Sequence, residues 1–244
     1  MNDLSLLSSF PITSADTDME ARLRLGSLAN FLIQSAINSA DKLGFGYGGL
    51  RQQKLYWVLS RLTVEINQPF RWREIVEVET WPKNIDGILY LRDFLVRDKA
   101  KSIVARATSG WLAIDIETKR PKKVDAIHAE MFVQLKNKHA LEQLPEKLTA
   151  ISEGDAFEVR STFYDMDLNK HATSTRYIDW VMDSFALDFH RLHFPKKISV
   201  NFMKETMLGD NILIMRNQPV DREFHFEGTN TSQNSTAFRA KIIF

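Results

Sequence analysis

Asp167, Asn169 and His171 occupy alternate positions in the stretch Asp165-Met166-Asp167-Leu168-Asn169-Lys170-His171, just ahead of an apolar periodic run. In an extended segment alternate side chains share a face, about 6.5 Å apart. A carboxylate, an amide and an imidazole would then project together, a set able to orient the imidazole, hold a water and move a proton. The same residue types also cap helices and build turns, with the histidine left in solvent. Both readings stay open on these three residues alone. His190 and His193 have the i, i+3 spacing of a helical metal pair, but no third ligand accompanies them and a solvated helix end accounts for them. No metal site is expected, and no Gly-rich phosphate loop or dinucleotide fingerprint occurs.

The elements that must position this trio are two helices and many strands. Helical periodicity runs from Gly26 to Leu43, with Leu28, Phe31, Leu32, Ser35, Ala36 and Ser39 on one face and Gly44 and Gly46 as a stop. A second helix is expected over Thr173 to Leu192, striped by Tyr177, Ile178, Val181, Met182, Phe185 and Phe189. Elsewhere the pattern alternates: Val76, Val78 and Thr80; Ile103, Ala105, Ala107, Ser109 and Trp111; Phe238, Ala240, Ile242 and Phe244. These predict half-buried antiparallel strands, with hairpin turns at Gly87 and within Gly228 to Ser235. The order strand, helix, four strands occurs twice. The expected fold is therefore α+β, a double hotdog of two repeats, each a long helix wrapped by a bent antiparallel sheet. Its expected division is an N-terminal repeat over 1–124, a linker over 125–153 and a C-terminal repeat over 154–244.

Overlaying the halves sharpens the repeat. An offset of 136 places Leu62 on Ile198, Val64 on Val200 and Val76 on Ile212, while 146 places Phe31 on Tyr177 in the helices. In that register Asp167, Asn169 and His171 fall on Ala21, Leu23 and Leu25, and Glu205 falls on Pro69. The expectation is a duplicated enzyme that keeps one centre, in its second copy.

Composition bounds the chemistry. The 244 residues are 44% hydrophobic and 26% charged with a net charge of +1, a globular balance with no electrostatic footprint for duplex nucleic acid. Absence of cysteine excludes disulfides, cysteine metal sites and a thiolate nucleophile. No apolar run approaches the ~20 residues of a membrane span. The N-terminal stretch carries Asp3 and lacks the basic residues of a signal or transit peptide, so a cytoplasmic location is expected.

Three stretches resemble the acyl-acyl-carrier-protein (acyl-ACP) thioesterases of plant plastids and bacteria: Trp57 to Arg61 with Trp72 through Trp81, Arg97-Asp98 with Arg106 to Trp111, and Asp165 to His171 with Tyr177-Ile178-Asp179-Trp180. The resemblance implies a double hotdog that hydrolyses the thioester between a fatty acyl chain and ACP. It implies catalytic roles for Asp167, Asn169 and His171, joined by Glu205 on the strand after the second helix. Plant members often carry cysteine after that glutamate; this chain has Thr206, so water must attack. Glu205 and His171 are expected to activate that water, with Glu205 partly buried. Asp167 would fix the imidazole tautomer, Asn169 would position water or thioester, and the amides of Ala172 and Thr173 would face the oxyanion.

Phe31, Leu32, Trp57 and Trp81 are expected to wall the acyl chain in the N-terminal repeat. An acidic carrier calls for a basic docking face. Lys196 and Lys197 are preferred over Lys119, Arg120, Lys122 and Lys123 because they lie nearer the motif in sequence. No cofactor, nucleic acid or membrane span is expected, and a homodimer stays open. The alternatives are an acyl-CoA thioesterase, a hotdog hydratase or dehydratase, whose G-D-x-N-P-x-H pattern is lacking here, and a non-catalytic lipid-binding module.

Overall fold

Leu25, Leu28, Ala29, Leu32, Ala36 and Ala40 recur every three or four positions, and helix α1 (Leu25–Lys42) buries that stripe. Around it curls an antiparallel sheet whose strands alternate burial in the way period-two sequence dictates; β9 (Glu223–Asn230) does so at every residue. The computed structural model describes residues 4–244, so Asp3 lies outside the described residues. Its first half contains β1 (Leu6–Pro11), α1, α2 (Tyr47–Gln52), β2 (Leu55–Ile66), β3 (Ile75–Asp86), β4 (Leu89–Arg97) and β5 (Ile103–Asp115). After α3 (Ala126–Val133) come β6 (Asp155–Arg160), α4 (Ser174–Met182), α5 (Leu187–Leu192), β7 (Lys197–Phe202), β8 (Asn211–Val220), β9 and β10 (Ser235–Ile243).

The ten strands form one sheet in the order β1-β3-β4-β5-β2-β7-β10-β9-β8-β6. That order is a palindrome of two equivalent five-stranded halves, so the chain is a double hotdog. The halves meet where β2 pairs antiparallel with β7, Leu62 opposite Val200 and Val64 opposite Ile198, with Thr63 opposite Ser199 at the centre. Thr63 and Ser199 are themselves 136 residues apart, so the pseudo-twofold axis passes between them, and their hydroxyls share a hydrogen bond of 3.1 Å. Joining the halves leaves neither β2 nor β7 as an open edge.

The segments before the helices follow a different offset from the one expected. Leu25 and Ser174 open the helices 149 residues apart, and the bridge Thr17–Leu23 recurs as Met166–Ala172. The counterparts of Asp167, Asn169 and His171 are therefore Asp18, Glu20 and Arg22, not Ala21, Leu23 and Leu25. A shift of three residues keeps a helical stripe nearly in phase, which is why 146 matched the apolar residues of the helices. Below the strands the offset of 136 holds: the bridge Arg22–Arg71 recurs as His171–Met207, which leaves Pro69 opposite Glu205.

The expected second long helix is broken after Met182. The Ser184 hydroxyl donates back to the Val181 carbonyl (2.7 Å), and Arg216 captures the Ser184 carbonyl (2.8 Å). That turns Phe185 into a cluster with Phe189, Phe224 and Phe244. Helices α1 and α4 pack together across the two repeats. A Cβ on Gly26 would lie 2.2 Å from Asp179 Oδ1, so glycine is what permits this approach. No helix among the described residues is long and apolar enough to cross a membrane.

A second, smaller core caps the open end of the first repeat. Phe45, Leu50, Leu55, Tyr90 and Phe132 are buried together where α2 and α3 close over the sheet. The segment after α3 runs along the sheet's outer face, where the buried Lys83 pairs with Asp93 (3.2 Å) and also donates to the Leu141 carbonyl. This cover explains why β4 is buried on both faces rather than alternating.

Candidate active site

Asp167 to Lys170 form a tight turn, not the extended segment expected. The Asp167 amide donates to the His171 carbonyl (2.7 Å) and the Lys170 amide to the Asp167 carbonyl (3.0 Å), with Lys170 at φ +66°. The Asp167 carboxylate closes the turn by accepting from the amides of Asn169 (2.7 Å) and His171 (3.2 Å). No hydrogen bond joins it to the imidazole among the described residues, so it shapes the main chain that carries His171 rather than fixing a tautomer directly. The first repeat builds the same turn: Asp18 accepts from the amides of Glu20 and Arg22, both at 2.9 Å. The aspartate is thus a shared folding device, and the asymmetry between copies lies in Asn169, His171 and Glu205.

The structure brings His171 and Glu205 together, Nε2 to Oε2 at 3.3 Å. Glu205 lies in the loop after β7, not on the strand, and its side chain is 57% exposed against 27% for the imidazole. The expected partial burial of Glu205 is not found. Asn169 is exposed, and its side-chain amide makes no hydrogen bond among the described residues. Thr206 is fully buried with its carbonyl accepting from the Ala172 amide (2.8 Å).

That bond also corrects the expected oxyanion donors. The Ala172 amide is taken by Thr206 and the Thr173 amide by the Asp165 carbonyl (2.8 Å). The first turn of α4 instead leaves Ser174 and Thr175 without acceptors inside the helix, at its positive end. Arg176 anchors this turn. It donates to Asp165 (2.7 Å) and Asp179 (3.0 Å). Burial pushes against ionisation of Asp165, yet the Thr162 amide and hydroxyl and the Arg176 guanidinium outweigh it and hold that carboxyl below its ordinary value. Asp179 goes the other way: burial between the helices raises it, opposed by Arg176 and Arg24.

A cavity of about 50 Å³ opens at the far end of α1, lined by Ala36, Ala40, Phe45, Trp57, Arg92 and Trp111 among others. Of the four expected wall residues, Trp57 lines it. Phe31 packs in the main core, stacked on Phe10 at 4.6 Å, and Leu32 is fully buried there. Trp81 cannot line an interior chamber: Thr80 faces inward to Arg92, so its neighbour faces outward, where its indole donates to the Lys138 carbonyl (3.1 Å). The small residues Ala36 and Ala40 on the helix stripe were a legible signal for the chamber; Arg92 and the helix-borne Phe132 were not.

The preferred docking lysines lie away from the His171–Glu205 pair. Lys196 and Lys197 lie at the start of β7, the end away from Glu205, and Lys197 is paired with Glu65 (2.9 Å). The other basic cluster adjoins Tyr56. Lys119 sits 5.4 Å over the Tyr56 ring, and the Tyr56 hydroxyl is raised from its ordinary value by burial and then by the charge of Glu205. No cluster of metal-ligating side chains occurs among the described residues.

Comparison with known proteins adds to this geometry. The sequence model for the acyl-ACP thioesterase N-terminal domain matches residues 4–131, and that for the C-terminal domain matches 146–244. The chloroplast oleoyl-acyl carrier protein thioesterase 2 of Arabidopsis thaliana is 26% identical over 95% of this chain and 68% of its own length. A palmitoyl-acyl carrier protein thioesterase of the same plant is 27% identical over 81% of this chain and 51% of its own. The chain thus spans between half and about two-thirds of the length of these plant relatives. Among solved structures, an acyl-ACP thioesterase from Bacteroides thetaiotaomicron superposes with a TM-score of 0.90 at 25% identity, covering 98% of this chain and 97% of the other. The 12:0-ACP thioesterase from Umbellularia californica shares the fold, with a TM-score of 0.86 at 20% identity over 100% and 98% of the two chains.

Proposed function

The chain belongs to the acyl-ACP thioesterase family, and on that footing we propose that it hydrolyses the thioester of a fatty acyl chain carried by ACP, using water activated by Glu205 and His171. The observation that carries this reading is the 3.3 Å approach of the two side chains beside the start of α4. Glu205 holds the attacking water and, with the imidazole, removes its proton as the oxygen adds to the thioester carbonyl. The tetrahedral oxyanion points at the free amides of Ser174 and Thr175, donors of a kind worth ~2.7–4 kcal/mol each where measured. Collapse expels the carrier thiolate, which takes the proton from the imidazolium, leaving a free fatty acid and a thiol. The Asn169 amide, exposed and without a hydrogen bond among the described residues, would hold water or thioester oxygen. Asp167 acts on the main chain beneath them.

In this reading the N-terminal repeat, residues 1–124, holds the acyl chain in the chamber at Trp57 and Trp111. Residues 125–153 link the repeats, and 154–244 supply the reacting groups. The carrier docks over Tyr56 and the Lys119 to Lys123 cluster, where a basic face meets the mouth of the site. Thiol release from acyl-ACP and acyl-CoA of matched chain lengths tests the proposal. A higher kcat/KM on the ACP thioester is expected; equal or better hydrolysis of the CoA ester would shift the carrier, and no hydrolysis of either would overturn the reaction.

A further inference from the structure

One charged group in the chamber has no part in the hydrolysis. Arg92 of β4 is 3% exposed and faces inward. Its Nη1 donates to Ser39 Oγ at 2.9 Å and Thr80 Oγ1 at 3.3 Å, both neutral hydroxyls, while its Nη2 is buried without a partner. No carboxylate pairs with it among the described residues; the adjacent Asp93 faces the other side of the sheet, against Lys83. Burial pushes the guanidinium down to about 9, which still leaves it a cation at neutral pH. It lines a cavity whose other walls are all apolar or aromatic side chains, Phe45, Trp57, Trp111 and Phe132 among them.

An apolar wall has no need of a guanidinium, and a purely hydrocarbon occupant would leave the Nη2 hydrogens dry. The guanidinium lies 6.0 Å over the Phe45 ring, a contact that leaves the Nη2 hydrogens without an acceptor. A buried donor left unmet is penalised far more than a met one is rewarded, so a ligand that carries an acceptor into the chamber is favoured. Arg92 lies on β4, three strands across from β7, or roughly 14 Å at the usual strand spacing. The group it meets is therefore remote from the thioester.

We propose that this chamber is a subsite for acyl chains bearing a hydrogen-bond-accepting oxygen at a distance from the thioester, with Arg92 Nη2 as the donor that recognises it. The inference rests on the thioesterase reading for the occupant being an acyl chain, and deepens it by naming the class of chain. A hydroxyl or a terminal carboxylate both supply the acceptor. A site built to bond an oxygen discriminates strongly against an analogue lacking it.

Calorimetric titration of the full chain with three free acids of equal length tests this: the unsubstituted fatty acid, its terminally hydroxylated form and the dicarboxylic acid. The oxygen-bearing acids are expected to bind at least tenfold more tightly than the plain one, and Arg92→Met, close in volume, should erase that advantage. Tighter binding by the carboxylate than the hydroxyl would assign an anionic chain, and the reverse order a hydroxylated one. Plain acid binding as tightly as both would overturn the proposal, as would an advantage that survives in Arg92→Met. Should that variant fail to fold, Ala40→Leu fills the chamber from α1 and is expected to remove the same advantage. Because binding of product-like acids is read without turnover, loss of hydrolysis would refute the reaction and leave the subsite standing.

Discussion

Replacing Asp167 by asparagine separates two ways a carboxylate can serve a neighbouring histidine. The structure gives Asp167 two acceptor bonds, to the amides of Asn169 at 2.7 Å and His171 at 3.2 Å, and none to the imidazole. An asparagine oxygen can accept both, losing only the extra strength that charge confers, about half of each bond. At ~1 kcal/mol per bond, Asp167→Asn should cost about 1 kcal/mol in holding the turn, or roughly fivefold in kcat. Asp167→Ala gives up both bonds, ~2 kcal/mol, and should slow turnover about thirtyfold. Where a carboxylate instead fixes an imidazole tautomer, the amide replacement costs ~10⁴-fold. Thiol release from acyl-ACP under single-turnover conditions measures both variants. Asp18→Ala, which cuts the equivalent turn of the first repeat, is the control and should lower stability while leaving kcat within about twofold. A drop of 10³ or more for Asp167→Asn would refute the main-chain role.

Three further outcomes follow from packing and charge. Gly26→Ala gains helix propensity of ~0.5–1 kcal/mol but drives a methyl to 2.2 Å from Asp179 Oδ1, and overpacking of ~1–3 kcal/mol should win; a lower Tm is expected, partly restored by Asp179→Ala, and an unchanged Tm in Gly26→Ala contradicts the helix contact. Gly228→Ala places its Cβ 2.0 Å from Phe238 Cε1, a ring with no exposure, so denaturant melts should show it less stable by about 1–3 kcal/mol. Asp165 is held below its ordinary range, so its stabilisation is complete above the unfolded value near ~4 and is lost as pH falls through the folded one. Arg176→Gln should then move the acid-unfolding midpoint to higher pH, and an unmoved midpoint would remove that account.

The repeat was legible in the strands because alternation tolerates no one-residue slip: every side chain would change face. The offset of 136 read from Leu62 and Val64 is the one that puts Thr63 opposite Ser199 on the axis. Helices are more forgiving, and a three-residue error survived there because it leaves the apolar stripe nearly in place. That error hid Asp18, Glu20 and Arg22, and with them the fact that the Asp167 turn is structural in both copies. The approach of His171 to Glu205 could not be read locally, since it joins a turn before α4 to a loop after β7. Arg92 escaped for another reason: an arginine in a strand reads as a solvent-facing residue, and only the closed end formed by Phe45 and Phe132 buries it.

The claim that Glu205 and His171 act on one water is most directly tested by a double-mutant cycle. Single-turnover rates are compared for Glu205→Gln, His171→Ala and the double variant. General base catalysis of this kind is worth ~10²–10⁴-fold, and groups that serve one step are not additive. The account predicts that each single substitution costs at least a hundredfold at unchanged Tm, and that the double is no slower than the slower single. Rates near wild type, or losses that multiply, would contradict it.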